Sequence, residues 1–219
     1  MFKSKYSNTL TVVLIIAIVV IVIVATILVI NVYKKHKNSR DAAIAISDFD
    51  SNLEDEVNDI DTQKLIEQDI VESVPTSNQK GTRKVTYYKN FVMLGYIEIP
   101  KIKLRQPILE KETAASLEQS VAIRYPKYAI LNSIGNVVIA GHNYRNGMFF
   151  SNLKKVTIGD IVRITDTNGK TLTYTIYETY YTFPEDTAYM TRDVGENIEV
   201  TLVTCSNDSS QRLIVKAKV

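Results

Sequence analysis

Three regimes of hydrophobic patterning divide the chain. Residues 10–30, "LTVVLIIAIVVIVIVATILVI", are apolar apart from Thr11 and Thr26, with no charge and no helix breaker. At about 1.5 Å per residue such a run crosses a hydrocarbon core of about 30 Å, and it exceeds the roughly 7–15 apolar residues of a cleaved signal peptide. Ala43, Ile44 and Ala45 have the composition of a cleavage site but lie well past the run. The pattern predicts an uncleaved single-pass helix over residues 10–33, behind a short tail of residues 1–9.

The second regime follows a basic cluster. Ile46, Phe49, Leu53, Val57, Ile60, Ile66 and Ile70 recur at three- to four-residue intervals, which predicts an amphipathic helical spacer interrupted near Asp61-Thr62. A partly disordered acidic stalk is the alternative, because residues 41–74 carry 11 acids against one base, Lys64. "SVPTSNQKGTRK" then reads as a linker, and residues 34–86 together form the spacer region.

The third regime, residues 87–219, has strand periodicity. "LGYIEIP" alternates and stops at Pro100, and "NVVIAGH" is a short continuous apolar run of the buried-strand kind. "DIVRITDTNGKTLTYTIYETYYTF" is two alternating runs joined through Asn168-Gly169, a strong hairpin signal. "NIEVTLVTC" and "RLIVKAKV" complete the set, with short helical pieces over residues 113–119 and 148–155. Many strands and few helices predict a mostly β domain, a closed barrel or a sandwich.

Charge sharpens this organisation. The net charge is only +2, but from residue 80 onward 19 Lys and Arg face 13 Asp and Glu. No basic block interleaves with aromatics, so no nucleic-acid partner is expected. Lys3 and Lys5 precede the apolar run, whereas Lys34, Lys35, Lys37 and Arg40 follow it. That count taken alone favours a cytoplasmic C-terminal domain. His36, inside the basic cluster, reads as a solvated juxtamembrane residue.

The chemistry narrows to three residues. Cys205 is the only cysteine, which rules out an intramolecular disulfide and any cysteine-based zinc cluster. Taken alone it reads as a small buried hydrophobe. His142 is the one histidine beyond the basic cluster and follows the strand "NVVIAG"; Arg212 opens the last strand, across the short loop "SNDSSQ" from Cys205. A thiol is a nucleophile only as thiolate, an imidazole can take and return its proton, and a fixed guanidinium can hold an oxyanion. Together they suggest a nucleophile, an acid/base and an oxyanion stabiliser on neighbouring strand ends.

With "TLVTC", an arginine opening the next strand and "IAGHN" upstream, the chain resembles the sortase family of cell-surface cysteine transpeptidases. "LGYIEIPKIKLRQPILE" looks like that family's opening strands, and "GHNYRNGMFFSNLKKVTIGDIV" like the segment after its histidine. The resemblance spans about residues 94–219 and implies an eight-stranded β-barrel. It matches Cys205 to the nucleophile, His142 to the general acid/base, Arg212 to the oxyanion- and substrate-positioning arginine, and Thr204 to a position lining the sorting-signal groove. The implied reaction cleaves an LPxTG- or NPxTN-type sorting signal after Thr and passes the acyl group to a peptidoglycan-precursor or pilin amine. It requires an extracellular barrel, with the N-terminus inside, against the lysine count. The spacer and the "GHN…MFF" and "TCSND" stretches resemble class B enzymes, while the short segment "FPEDTAYMTRDVGEN" resembles classes A and D. No cofactor is implied. Calcium activates some relatives, and its ligands here would come from Glu110, Glu112, Glu185 and Asp186, all of which read equally as solvated surface residues. Two other readings stand beside the transpeptidase: a cysteine protease that resolves its acyl-enzyme with water, and a non-catalytic tethered β-barrel binding module with Cys205 as inert core.

Overall fold

A computed structural model of the chain describes residues 3–67 and 85–219. The expected linker at residues 73–84 lies outside the described residues. Helix α1, Lys3–Glu67, is continuous over 65 residues. The interruption expected near Asp61-Thr62 does not occur: neither residue breaks a helix, and each costs only about 0.7 kcal/mol relative to alanine.

The chain divides into two compact units, residues 1–38 and 39–219. In the first, the apolar side chains point outward all round the helix, from Leu10 at 72% exposed to Ile30 at 47%. Among the described residues, α1 is the one helix long and apolar enough to cross a membrane, by length and composition. A helix with no polar face has the pattern of one that could span a membrane.

In the second unit the helix becomes amphipathic and docks on the barrel wall. Ala42, Ala45, Ile46 and Phe49 are buried. Ile46 and Phe49 pack with Met93 and Tyr96, and Ala45 with Tyr88, Leu109 and Ala122. Phe49 meets Tyr96 edge to face, with centroids 6.0 Å apart. Asp41 pairs with Lys89 at 3.0 Å and Asp50 with Arg105 at 3.5 Å on either side of this seam.

The barrel follows from nine strands: β1 Tyr87–Tyr88, β2 Phe91–Ile99, β3 Leu104–Leu109, β4 Val121–Tyr125, β5 Gly135–Ala140, β6 Ile161–Asp166, β7 Thr171–Thr182, β8 Ile198–Cys205 and β9 Arg212–Lys218. Their order is β1-β2-β3-β4-β5-β8-β9-β7-β6, and β2 also pairs with β6. That pairing closes β2–β9 into an eight-stranded barrel, with β1 as a two-residue addition to β2. Gly95 permits the closure: a Cβ there would sit 2.0 Å from the Thr165 carbonyl oxygen. The β3–β4 and β5–β8 pairs are parallel, and the other pairs are antiparallel. The predicted hairpin is present: β6 and β7 are joined by a turn whose Asp166 carboxylate accepts from the Asn168 and Lys170 amides.

The core is hydrocarbon from alternate positions of every wall strand, including Ile97, Ile139, Ile164, Ile176, Leu202 and Val215. Phe149, Phe150 and Leu153, from the 3₁₀ segment Phe149–Lys155, plug it. Two short helices, α2 Ala114–Leu117 and α3 Ala188–Thr191, lie in the β3–β4 and β7–β8 connections. A second apolar cluster of Val138, Ala140, Tyr189, Val203 and Ile214 lies on the outer face of β5, β8 and β9, with Leu117 packed against it.

Candidate active site

Period-two alternation decides which way each candidate points. On β8, Val200 and Leu202 join the interior and Val203 joins the outer cluster; on β9, Leu213 and Val215 face inward and Ile214 outward. Cys205 and Arg212 therefore continue the outward rows. They are also direct cross-strand partners in the antiparallel β8–β9 register, so their side chains leave the same face from neighbouring positions. Cys205 is half-buried and is the free thiol of the chain.

His142 arrives through the parallel β5–β8 pair. Ala140 is level with Val203, and the ladder continues as the Gly141 amide donates to the Val203 carbonyl at 3.1 Å. His142 follows two residues past Ala140, and Cys205 two residues past Val203, so the backbones that carry the three candidates reach the same end of β5, β8 and β9.

Their backbones are fixed by the loops around them. The Asn143 side-chain amide donates to the Cys205 carbonyl at 2.9 Å and to Asn207 at 3.2 Å, tying the histidine loop to the cysteine loop. The Phe150 amide donates to the His142 carbonyl at 3.1 Å. Gly141 must lack a side chain, since a Cβ would meet the Phe150 ring at 2.7 Å and Val121 Cγ1 at 2.9 Å. Phe149 adopts a left-handed backbone at φ 47° while its ring is 1% exposed; burial of the ring offsets a backbone cost of about 1–2 kcal/mol. The Arg212 guanidinium is steadied at its base by the carbonyls of Gln211 and Ser209, at 3.1 and 3.4 Å.

Thr204, expected along the groove, alternates to the other side of β8 from Cys205. It is 4% exposed, and its hydroxyl donates to the Gly141 carbonyl at 2.7 Å. Its observed contact thus locks the end of β5, which carries His142, to the end of β8.

The four carboxylates weighed for calcium do not converge. Glu112 faces Arg124 at 3.6 Å, and Asp186 accepts from the Thr182 hydroxyl and the Ala188 amide. No cluster of three or more His, Cys, Asp or Glu suited to a metal occurs among the described residues.

Two features escaped the sequence reading. Tyr144 stacks on His142, with centroids 4.8 Å apart. The β7–β8 connection is fastened by buried polar groups: Arg192 pairs with Glu199, Glu199 accepts from the Tyr177 hydroxyl at 2.7 Å, and Asn136 donates to the Tyr189 carbonyl at 3.0 Å. Only the "HNY" order hinted at the first. In the second, Tyr177 and Asn136 lie 22 and 53 residues from their partners, too far apart in sequence to signal each other.

Comparison with known proteins agrees with this architecture. The family model described as Sortase domain matches residues 97–219. Among solved structures, the chain is similar to the Clostridium perfringens sortase D5 transpeptidase, at 27% identity and TM-score 0.58, covering 82% of this chain and 98% of that one. It is similar to sortase A from Corynebacterium diphtheriae, a lid mutant, at 25% identity and TM-score 0.55, covering 78% and 93%. Sortase C1 of Streptococcus agalactiae, in complex with MTSET, aligns at 25% identity and TM-score 0.52, covering 57% and 68%. Comparison with curated protein sequences returns no match.

Proposed function

The chain belongs to the sortase family and is a cysteine transpeptidase; from that premise we propose that Cys205 is its nucleophile, His142 its general acid/base and Arg212 its oxyanion stabiliser. The observation that carries the assignment is the strand register: Cys205 lies opposite Arg212, and Ala140, two residues before His142, pairs with Val203, two residues before Cys205. The Cys205 thiolate attacks the carbonyl carbon of the scissile peptide. The carbonyl electrons move to oxygen, where Arg212 holds the negative charge. Collapse breaks the C–N bond, and His142 gives its proton to the departing amine. A thioester on Cys205 remains. An incoming amine attacks it while His142 takes a proton, and the thiolate leaves as the new amide forms.

The substrate in this reading is a surface protein with an LPxTG- or NPxTN-type signal, cut after Thr, and the acceptor is a peptidoglycan-precursor or pilin amine. Residues 10–33 anchor the enzyme in the membrane with the barrel outside, where both substrates are. The short β7–β8 connection, with only the four-residue α3, favours the compact loop of classes A and D. The test is to incubate the full chain in detergent with a panel of such peptides, with and without an oligoglycine or diaminopimelate-type amine, and to identify products by mass spectrometry. Cleavage after Thr with amine adducts is expected. Hydrolysis alone, unchanged by any amine, would favour a protease, and no cleavage with an unreactive Cys205 would favour a binding module. External protease on intact cells tests orientation: a barrel degraded only after lysis would contradict it.

A further inference from the structure

Tyr144 occupies a position that the transpeptidase chemistry does not by itself explain. Its ring stacks on His142 at 4.8 Å between centroids, tilted by 40°. Its other neighbour is the Phe149 ring, at 5.9 Å, and Phe149 is anchored in the barrel core. Its hydroxyl faces the carboxylate of Glu118, the residue that ends α2. Tyr144 thus runs from the imidazole to two fixed points, one apolar and one charged. At 39% exposed it adds little to the core, so stability does not account for the arrangement.

We infer that Tyr144 is a positioning residue for His142: its ring, held against Phe149, fixes the imidazole plane toward Cys205 and presents a π face that favours the charged imidazolium. The inference rests on His142 being the acid/base. Cys205 ionises by giving its proton to the imidazole, so whatever stabilises the imidazolium raises the reactive thiolate fraction. The ionisable group in contact with the imidazole ring is Tyr144 on its own loop, with Glu118 after α2 behind it; in the proposed site Cys205 and Arg212 face it from β8 and β9. Burial and then the Glu118 carboxylate push the Tyr144 hydroxyl up to about 12, so it remains protonated throughout the working range.

Cys205 is the sole thiol, so alkylation by iodoacetamide reads its reactivity without a peptide substrate. The full chain in detergent would be alkylated at neutral pH as wild type, His142→Ala, Tyr144→Leu and Tyr144→Phe, with melting temperatures measured in parallel. His142→Ala should slow alkylation most. Tyr144→Leu should slow it about fivefold, the scale of a lost cation–π contact, at unchanged melting temperature. Tyr144→Phe, which keeps the ring against His142 and Phe149, should restore most of the rate. Should Tyr144→Leu fail to fold, Tyr144→Met carries the same expectation. A wild-type rate in Tyr144→Leu beside a slow His142→Ala would overturn the role of Tyr144 alone. Tyr144→Phe as slow as Tyr144→Leu would also overturn it. A wild-type rate in His142→Ala would instead remove the acid/base assignment on which the inference stands.

Discussion

The interior of the barrel and the outer face of β5, β8 and β9 are built on the same strands with different chemistry. Inward, Ile139, Leu202 and Val215 make a continuous hydrocarbon core. Outward, the apolar cluster of Val138, Ala140, Val203 and Ile214 is small, and the strand ends carry Cys205 and Arg212. One face supplies the free energy that holds the strands in register. The other uses that register to set a thiol beside a guanidinium, and it is on this face that we propose the chemistry with His142 takes place. Stability and reactivity are therefore separable by the parity of a residue along a strand.

The strongest break in that comparison comes from Cys205→Ala. It should leave melting unchanged and abolish turnover, a loss on the order of 10⁵–10⁶-fold for removal of a nucleophile. Retained turnover, followed by peptide cleavage, would remove the outer face from the chemistry. Across the ladder, Arg212→Ala should lower turnover roughly 10²–10³-fold, again with the fold intact; Arg212→Lys recovering full activity would argue against a requirement for the guanidinium's fixed fork. The interior counterpart is Leu202→Ala, one position from Val203. It should cost about 2–5 kcal/mol in denaturant unfolding while each folded molecule keeps near-normal turnover. Loss of turnover without loss of stability there would contradict the division by parity.

Gly141→Ala tests the junction of the two faces. The added methyl meets the Phe150 ring and Val121, so it should destabilise by about 1–3 kcal/mol and also displace His142. Stability and turnover should fall together here, unlike at either face. The smallest effect sharpens the rim of the site. Asp208, in the loop between Cys205 and Arg212, is held at about 2, below its ordinary 3.8, by the Ser206 hydroxyl and then by Ser210. Because its folded value is depressed, its contribution to loop order is present above the ordinary value and is lost as pH falls through about 2. A carboxyl titration by NMR should find that midpoint, and an ordinary midpoint would show the loop contacts to be absent in solution.

Local signals in the sequence were informative where structure is local. Asn168-Gly169 marked the β6–β7 hairpin, and the alternation of "LGYIEIP" gave β2 its end before Pro100. Ile46, Phe49 and Leu53 marked the docking face of α1, but the small residues Ala42 and Ala45 share it, and alanine carries too little hydrophobic signal to count in a period. β4, Val121–Tyr125, stood out less, as a five-residue strand whose partners lie on both sides. The candidate residues were each visible, as a lone thiol, a lone histidine and a strand-opening arginine. Their meeting was only half visible. Cys205 and Arg212 share a short hairpin, whereas His142 reaches them through a parallel pairing of distant strands, and no local pattern encodes such a register. Tyr177 and Glu199, and Asn136 and Tyr189, were hidden for the same reason, since their pairing is set by the closed barrel.

The most direct test of the central claim is the intact mass of the protein during turnover. Full chain incubated with a cleavable sorting-signal peptide, without added amine, should gain the mass of the peptide up to its Thr. The adduct should map to Cys205, discharge on adding an amine acceptor or hydroxylamine, and be absent from Cys205→Ala. Peptide cleavage with no adduct on Cys205, or an equal adduct in Cys205→Ala, would contradict the account.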